Sequence, residues 1–292
     1  MLQIKLDLEL LRTNFETAHP FRHLILDGAF SGLNTVAEEF PTREWAHWGA
    51  LDSGDTYQPN KLNCSERSRL PVNIGSFIDY LNSAEFLSVL EKLTGISGLM
   101  GDPYLAGGGL HLSLAGGVLL PHTDFHVYTK LNLYRRLNLL VYLNSNWVDG
   151  DGGELEIAHS AAPELTTTIK PKFGRTIIFE TNDKSVHGFR NPVRSGTTRR
   201  SIAIYYYTAN ETEVFGGDYL THWRDHGRQH RSFRASLRRY VHSILLQLSR
   251  TFSMAAFLVH PQRRLSITRR LIRRLRQKQI DRNFEHEVPK EK

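Results

Sequence analysis

VLLPHTD at 118–124, LNLLVYL at 137–143, ELEIA at 154–158, TIIFE at 176–180 and RRSIAIYYYT at 199–208 are the segments that decide the fold. They are short and rich in β-branched and aromatic residues. Glycine-bearing turns separate them: AGG at 115–117, DGDGG at 149–153 and KFG at 172–174. With His111–Leu114 and Thr166–Ile169 they form a regular series of strands from about residue 105 to 210. Such a series predicts an antiparallel double sheet, a sandwich or a barrel.

Upstream, about 1–104, the pattern is mixed. FRHLILD at 21–27 predicts a short strand, and Ser76–Leu81 and Ala84–Leu93 predict helices. Phe86, Leu87, Leu90 and Leu93 lie on one helical face. Asn82 followed by Glu85 resembles a capping box, and Gly95 is a C-terminal stop. These helices are expected to support the sheet.

Charge divides the chain unevenly. Residues 1–220 hold 19 Lys/Arg against 25 Asp/Glu, a net of −6, whereas residues 221–292 hold 18 against 5, a net of +13. The expected organisation is a body of 1–210 and a basic, helical C-terminal extension of 211–292. Within the extension, Tyr240–Val259 is mostly apolar and Arg263–Lys278 is dense in arginine, with Leu265, Leu271, Ile272 and Leu275 on one face. Residues 236–278 read either as a solvated appendage or as a peripheral membrane contact. Nucleic acid is not expected, because few aromatics stand among the arginines. One cysteine, Cys64, excludes an internal disulfide and fits a reducing compartment. MLQIKLD at 1–7 lacks the apolar run of a signal peptide, and no uninterrupted apolar segment reaches the ~18 residues of a membrane span. The expected location is cytoplasmic, with attachment of the tail to a membrane surface as an open option.

The chemistry concentrates at His122-Thr123-Asp124, the one HxD in a chain with 14 histidines. On a strand, residues i and i+2 project from the same side, so both donors can face a sheet interior. His187 would arrive from a distant strand. Two imidazoles and a carboxylate can occupy one face of an iron(II) ion and leave three positions open. By the same alternation Arg199 and Ser201 share one face of their strand and Arg200 shares the other. A planar guanidinium pairs bidentately with a carboxylate, which makes Arg199, supported by Ser201, the candidate anchor for an acidic cosubstrate. Asn138 shares a face with Tyr142 and is a further pocket candidate. His111, Ser113, His126 and Tyr128 are weaker ones, and Asp149–Gly153 reads as a hairpin turn rather than a calcium loop.

Taken in order, HTD, LLVYLNSNW (139–147), GGELEI (152–157), KPKFGRTIIF (170–179), His187 and RRSIAIYYY resemble the 2-oxoglutarate/Fe(II)-dependent dioxygenases, specifically their prolyl-4-hydroxylase-like group. The resemblance spans roughly residues 105–208. It implies a mainly β fold with flanking helices around a double-stranded β-helix, or jelly-roll, core. It implies Fe(2+) on His122, Asp124 and His187, with 2-oxoglutarate on Arg199, Ser201 and Tyr142. O2 is the implied second cosubstrate and ascorbate an optional reductant. The implied reaction hydroxylates a C–H bond of a small-molecule or peptide substrate and releases succinate and CO2. Peptidyl proline, an amino acid and a saccharide or lipid-linked precursor all remain open as acceptors. The alternative is a non-catalytic metal-binding jelly roll that recruits partners or membrane through its tail. Asp124 disfavours the halogenating relatives, which lack that carboxylate. Nucleic-acid demethylases carry a second arginine six residues after the anchor, and here Tyr205 stands there.

Overall fold

Alternation along Arg199–Thr208 organises the two layers of the molecule. In the computed structural model Ile202, Ile204 and Tyr206 join a core shared with the N-terminal helices, whereas Arg199, Ser201, Ala203 and Tyr205 face the opposite way. The structure describes residues 7–50, 57–128, 130–160, 162–209 and 221–223, with seven further positions between 241 and 252. The chain divides into two units, 1–226 and 227–292.

In chain order the elements of the first unit are α1 (Leu8–Thr17), β1 (His23–Leu26), α2 (Leu33–Glu38), β2 (Gly49–Ala50) and β3 (Lys61–Cys64). Then come α3 (Val72–Leu81), α4 (Ala84–Thr94), β4 (Gly109–Ser113), β5 (Leu119–Thr123), β6 (Val127–Tyr128) and β7 (Leu133–Tyr142). The remainder are β8 (Leu155–His159), β9 (Ala162–Ile169), β10 (Thr176–Glu180), β11 (Ser185–Phe189), β12 (Arg199–Thr208) and β13 (His222–Trp223). An eight-stranded sheet runs β1-β10-β7-β12-β4-β3-β2, with β6 beside β7, and a five-stranded sheet runs β13-β5-β11-β8-β9. Every named pair is antiparallel, as expected for a jelly-roll core.

The helices cover the outer face of the large sheet. Phe86, Leu90 and Leu93 of α4 and Ile74, Phe77 and Ile78 of α3 pack in one cluster with Leu110, Leu112, Leu139 and Val141 of the sheet. Burying each such side chain contributes about 1.5–3 kcal/mol. Gly95 ends α4 at φ 71, as expected of a left-handed cap. The start differs from expectation: Ser83 is the N-cap, its hydroxyl accepting from Phe86 N, while Asn82 closes α3. Asn82 and Ser83 both have capping side chains, and α3 running to Leu81 places the serine at the required position. Helices α1 and α2 and the strands β2 and β3 at one end of the large sheet carried no clear periodic signal.

Two irregularities shape the interior. Pro121 has no N–H to give to a neighbouring strand, and opposite it the β5–β11 ladder shifts register between His187 and Phe189. The second lies between β7 and β12, where Tyr206 pairs with Leu137 but Tyr207 pairs with Arg135. Arg136 is therefore an extra residue on β7. Leu137, Leu139 and Val141 face the helices, yet Arg135 faces inward.

Candidate metal and cosubstrate site

Strand pairing sets His187 of β11 directly opposite His122 of β5, with ring centroids 4.4 Å apart. Asp124 follows the end of β5 and closes the group. Its Oδ1 lies 3.6 Å from His122 Nε2 and its Oδ2 3.4 Å from His187 Nε2. The three donor atoms lie within 4.8 Å of one another, and all three residues are buried. Among the described residues this is the one such group of potential ligands.

The donors are prepared for a metal. Nδ1 of His122 is 2.9 Å from Leu120 O and Nδ1 of His187 is 3.2 Å from Ser185 O. A carbonyl accepts only from N–H, so each proton sits on Nδ1 and each Nε2 lone pair points at the shared space. Burial holds the His187 imidazole down to about 4, although Asp124 pulls the other way. Burial would raise the Asp124 carboxyl, but Arg135 first, then His187 and His122, hold it well below the usual range. A neutral His187 imidazole beside an ionised Asp124 carboxylate is the combination that a divalent cation requires.

Arg199 lies in the same cavity, of about 190 Å³, with the triad, Ser201 and Asn138. The guanidinium donates from Nε to Gly153 O at 2.8 Å and from Nη2 to Tyr142 Oη at 2.8 Å, while Nη1 is 3.5 Å from Ser201 Oγ. It rests between the rings of Phe189 and Tyr142, at 4.6 and 4.8 Å. Among the described residues no carboxylate pairs with it, so its contacts are with neutral oxygens and aromatic faces. A buried cation so placed calls for an anion, and the distal carboxylate of 2-oxoglutarate fits that need. Burial raises the Tyr142 phenol and the nearby Arg199 lowers it, leaving the phenol raised and able to donate its proton.

The turn Asp149–Gly153 has a definite part in this. Gly153 adopts φ +73, and a Cβ there would meet Arg199 Cδ at 2.9 Å. Its glycine thus lets the backbone approach the guanidinium. Asp151 accepts from Val148 N and pairs with Arg194, so the segment is a turn and not a calcium loop; it is no hairpin, however, because it crosses from β7 of the large sheet to β8 of the small one.

Other expected residues are distributed differently. Asn138 lines the cavity, but its amide is engaged: Nδ2 donates to Asp124 Oδ2 at 2.8 Å and Oδ1 accepts from Arg135 Nε at 2.9 Å. His111 and Ser113 line the cavity, and burial foremost pushes the His111 imidazole well down. His126 is fully buried beside Asp183, and Tyr128 packs on Tyr207; neither lines the cavity.

Arg135 and Trp223 are among the lining residues that escaped the sequence reading. Arg135 lies 3.0 Å from Asp124 Oδ2 and 3.4 Å over the ring of Tyr205. Trp223 of β13 packs on His122 at 4.6 Å and stacks on Tyr57 at 4.8 Å. Strand parity concealed the first, and a two-residue strand after residue 210 gave no signal for the second.

A family described as the 2OG-Fe(II) oxygenase superfamily matches residues 109–207. Among solved structures, a prolyl-4-hydroxylase from Pseudomonas putida is similar at 15% identity and a TM-score of 0.50, covering 69% of this chain and 98% of that one. A prolyl hydroxylase from Trichoplax adhaerens, in complex with a hypoxia inducible factor peptide fragment, has 17% identity and a TM-score of 0.46 over 68% and 88% of the two chains. HygX from Streptomyces hygroscopicus, with nickel, 2-oxoglutarate and hygromycin B bound, has 14% identity and a TM-score of 0.45 over 68% and 92%.

Proposed function

We propose that this chain, whose residues 109–207 match the 2OG-Fe(II) oxygenase superfamily, is a hydroxylase acting on a C–H bond of a small-molecule or peptide substrate, with release of succinate and CO2. The observation that carries this reading is the presence, in one cavity, of a three-donor group and a buried guanidinium with no carboxylate partner among the described residues.

His122, Asp124 and His187 would hold the iron. Arg199 would pair with the distal carboxylate of 2-oxoglutarate, Ser201 would support it, and Tyr142 would offer its hydroxyl proton to the same group. Bound together, Fe(II) and 2-oxoglutarate supply the oxidising power that puts one oxygen atom of O2 on the substrate and the other in succinate. The chain's own contribution is orientation and exclusion. Leu140, Leu155, Phe179 and Phe189 line the apolar part of the cavity, while Trp223 covers one face of His122. Peptidyl proline, amino acids and saccharide or lipid-linked precursors are the acceptor classes to be screened.

The test is succinate release by the Fe(II)-loaded chain against peptide, amino-acid, sugar and lipid fractions, with a product heavier by one oxygen. A loaded chain that binds 2-oxoglutarate but consumes none across all fractions would instead favour a non-catalytic binding protein.

The extension supports a second element of the reading, attachment to a membrane surface from the cytoplasmic side. Val241, Ile244, Leu245, Leu248 and Phe252 are helical and exposed, spaced as one apolar stripe with Ser249 and Thr251 at its edges. The surrounding residues 221–292 carry +13. An apolar stripe in a basic segment suits the surface of an anionic bilayer. Among the described residues no helix is long and apolar enough to cross a membrane. The expected basic helix at 263–278 lies outside the described residues.

A further inference from the structure

We propose that Arg135 is the positioning residue of the metal centre, holding Asp124 in the one orientation that presents Oδ1 to the ion. The inference rests on His122, Asp124 and His187 being the metal ligands. Arg135 and Asp124 are both buried, so removing either would leave the other an uncompensated buried charge. Three side chains close a loop. Arg135 Nε donates to Asn138 Oδ1 at 2.9 Å, Asn138 Nδ2 donates to Asp124 Oδ2 at 2.8 Å, and Arg135 Nη2 lies 3.0 Å from that same oxygen. Oδ2 is thereby engaged, while Oδ1 faces His122 Nε2 at 3.6 Å.

The guanidinium is itself fixed. It lies 3.4 Å from the ring centroid of Tyr205 and 4.8 Å from that of Phe125. Tyr205 is tied by its hydroxyl to Gly107 O at 2.9 Å. A lysine could restore the charge but neither the planar stack nor the link to Asn138. Backbone register also specifies the arrangement, since the extra residue Arg136 turns Arg135 inward. Arg135 therefore acts on the metal through Asp124.

The experiment uses the metal-free full chain and Co(II) as probe. Affinity is read by calorimetry, ligand geometry by the visible absorption of the bound ion, and folding by circular dichroism. R135M is expected to weaken Co(II) binding by about 10- to 100-fold and to alter the Co(II) spectrum, with R135K between it and the native chain. A folded R135M protein with native Co(II) affinity and spectrum overturns the proposal. Should R135M not fold, R135K decides, and native affinity and spectrum in it overturn the proposal equally. Weaker 2-oxoglutarate binding with unchanged Co(II) affinity also overturns it, moving Arg135 to the cosubstrate. If the native chain itself binds no Co(II), the triad as metal site fails instead.

Discussion

Arg199 donates through Nε to the carbonyl of Gly153, 2.8 Å away, so a turn between two strands of the small and large sheets holds the residue proposed to anchor the cosubstrate. Any side chain at Gly153 would strain a backbone at φ +73 and press on Arg199 Cδ. G153A is therefore expected to raise the KM for 2-oxoglutarate by about tenfold or more, the cost of displacing one charge-assisted contact, while Co(II) affinity stays native. Titration of both ligands against the variant checks this, and an unchanged KM removes the assigned role of the turn.

Loss of a triad member should abolish turnover outright. D124A and H122A are expected to show no Fe(II)-dependent succinate above background while retaining a native circular dichroism spectrum. Persistent turnover in folded D124A would contradict the metal assignment. S201A, by contrast, removes a contact already 3.5 Å long, and its KM for 2-oxoglutarate should rise by only about threefold or less.

Acid should destabilise the metal-free chain in a defined window. The His187 pKa lies at about 4 when folded, below the ~6.5 of an exposed imidazole. The unfolded chain takes up the proton first, so this contribution to stability is complete above about pH 6.5 and is lost as pH falls towards 4. His111, also displaced downward by burial, adds in the same direction. Urea midpoints between pH 7.5 and 4.5 should therefore fall less in H187Q than in the native chain. Equal slopes would show that His187 is not buried as a neutral ring.

Trp223 should report the metal. Its ring lies 4.6 Å from that of His122, so Co(II) is expected to quench part of the intrinsic fluorescence. W223F should lose most of that quenching while binding Co(II), as followed by calorimetry. Quenching unaltered in W223F would assign it to another of the four tryptophans.

The exposed stripe predicts sedimentation with phosphatidylglycerol vesicles and little with phosphatidylcholine. L245E/F252E should reduce the bound fraction severalfold. Equal partitioning between the two lipids, or between variant and native chain, would end the membrane reading.

How far the sequence disclosed this site depended on regular backbone. Arg199 and Ser201 share an inward face because β12 alternates without interruption from 199 to 206. His122 and Asp124 were legible from their i, i+2 spacing, although Asp124 lies just past the end of β5. Arg135 was not, because alternation counted back from Leu137 puts it on the helix side, and the extra residue that reverses it is a matter of pairing between distant strands. Asn138 was placed in the cavity by its strand face, but its engagement with Asp124 depends on three-dimensional proximity. Ser83, rather than Asn82, caps α4 because α3 persists to Leu81, a boundary set by packing and not by local residue preference.

The extra residue in β7 makes that strand two segments in opposite phase. From Asn138 onward its even positions look inward, and before Arg136 its odd positions do. Were Arg136 instead paired opposite Tyr207, the two halves would fall into step and position 135 would swing to the far side of the sheet. Residues 138–142 beside Arg199 would keep their places. The pairing of a single position thus separates the support of the proposed iron ligand from the seat proposed for the cosubstrate, so each can be altered without touching a residue of the other.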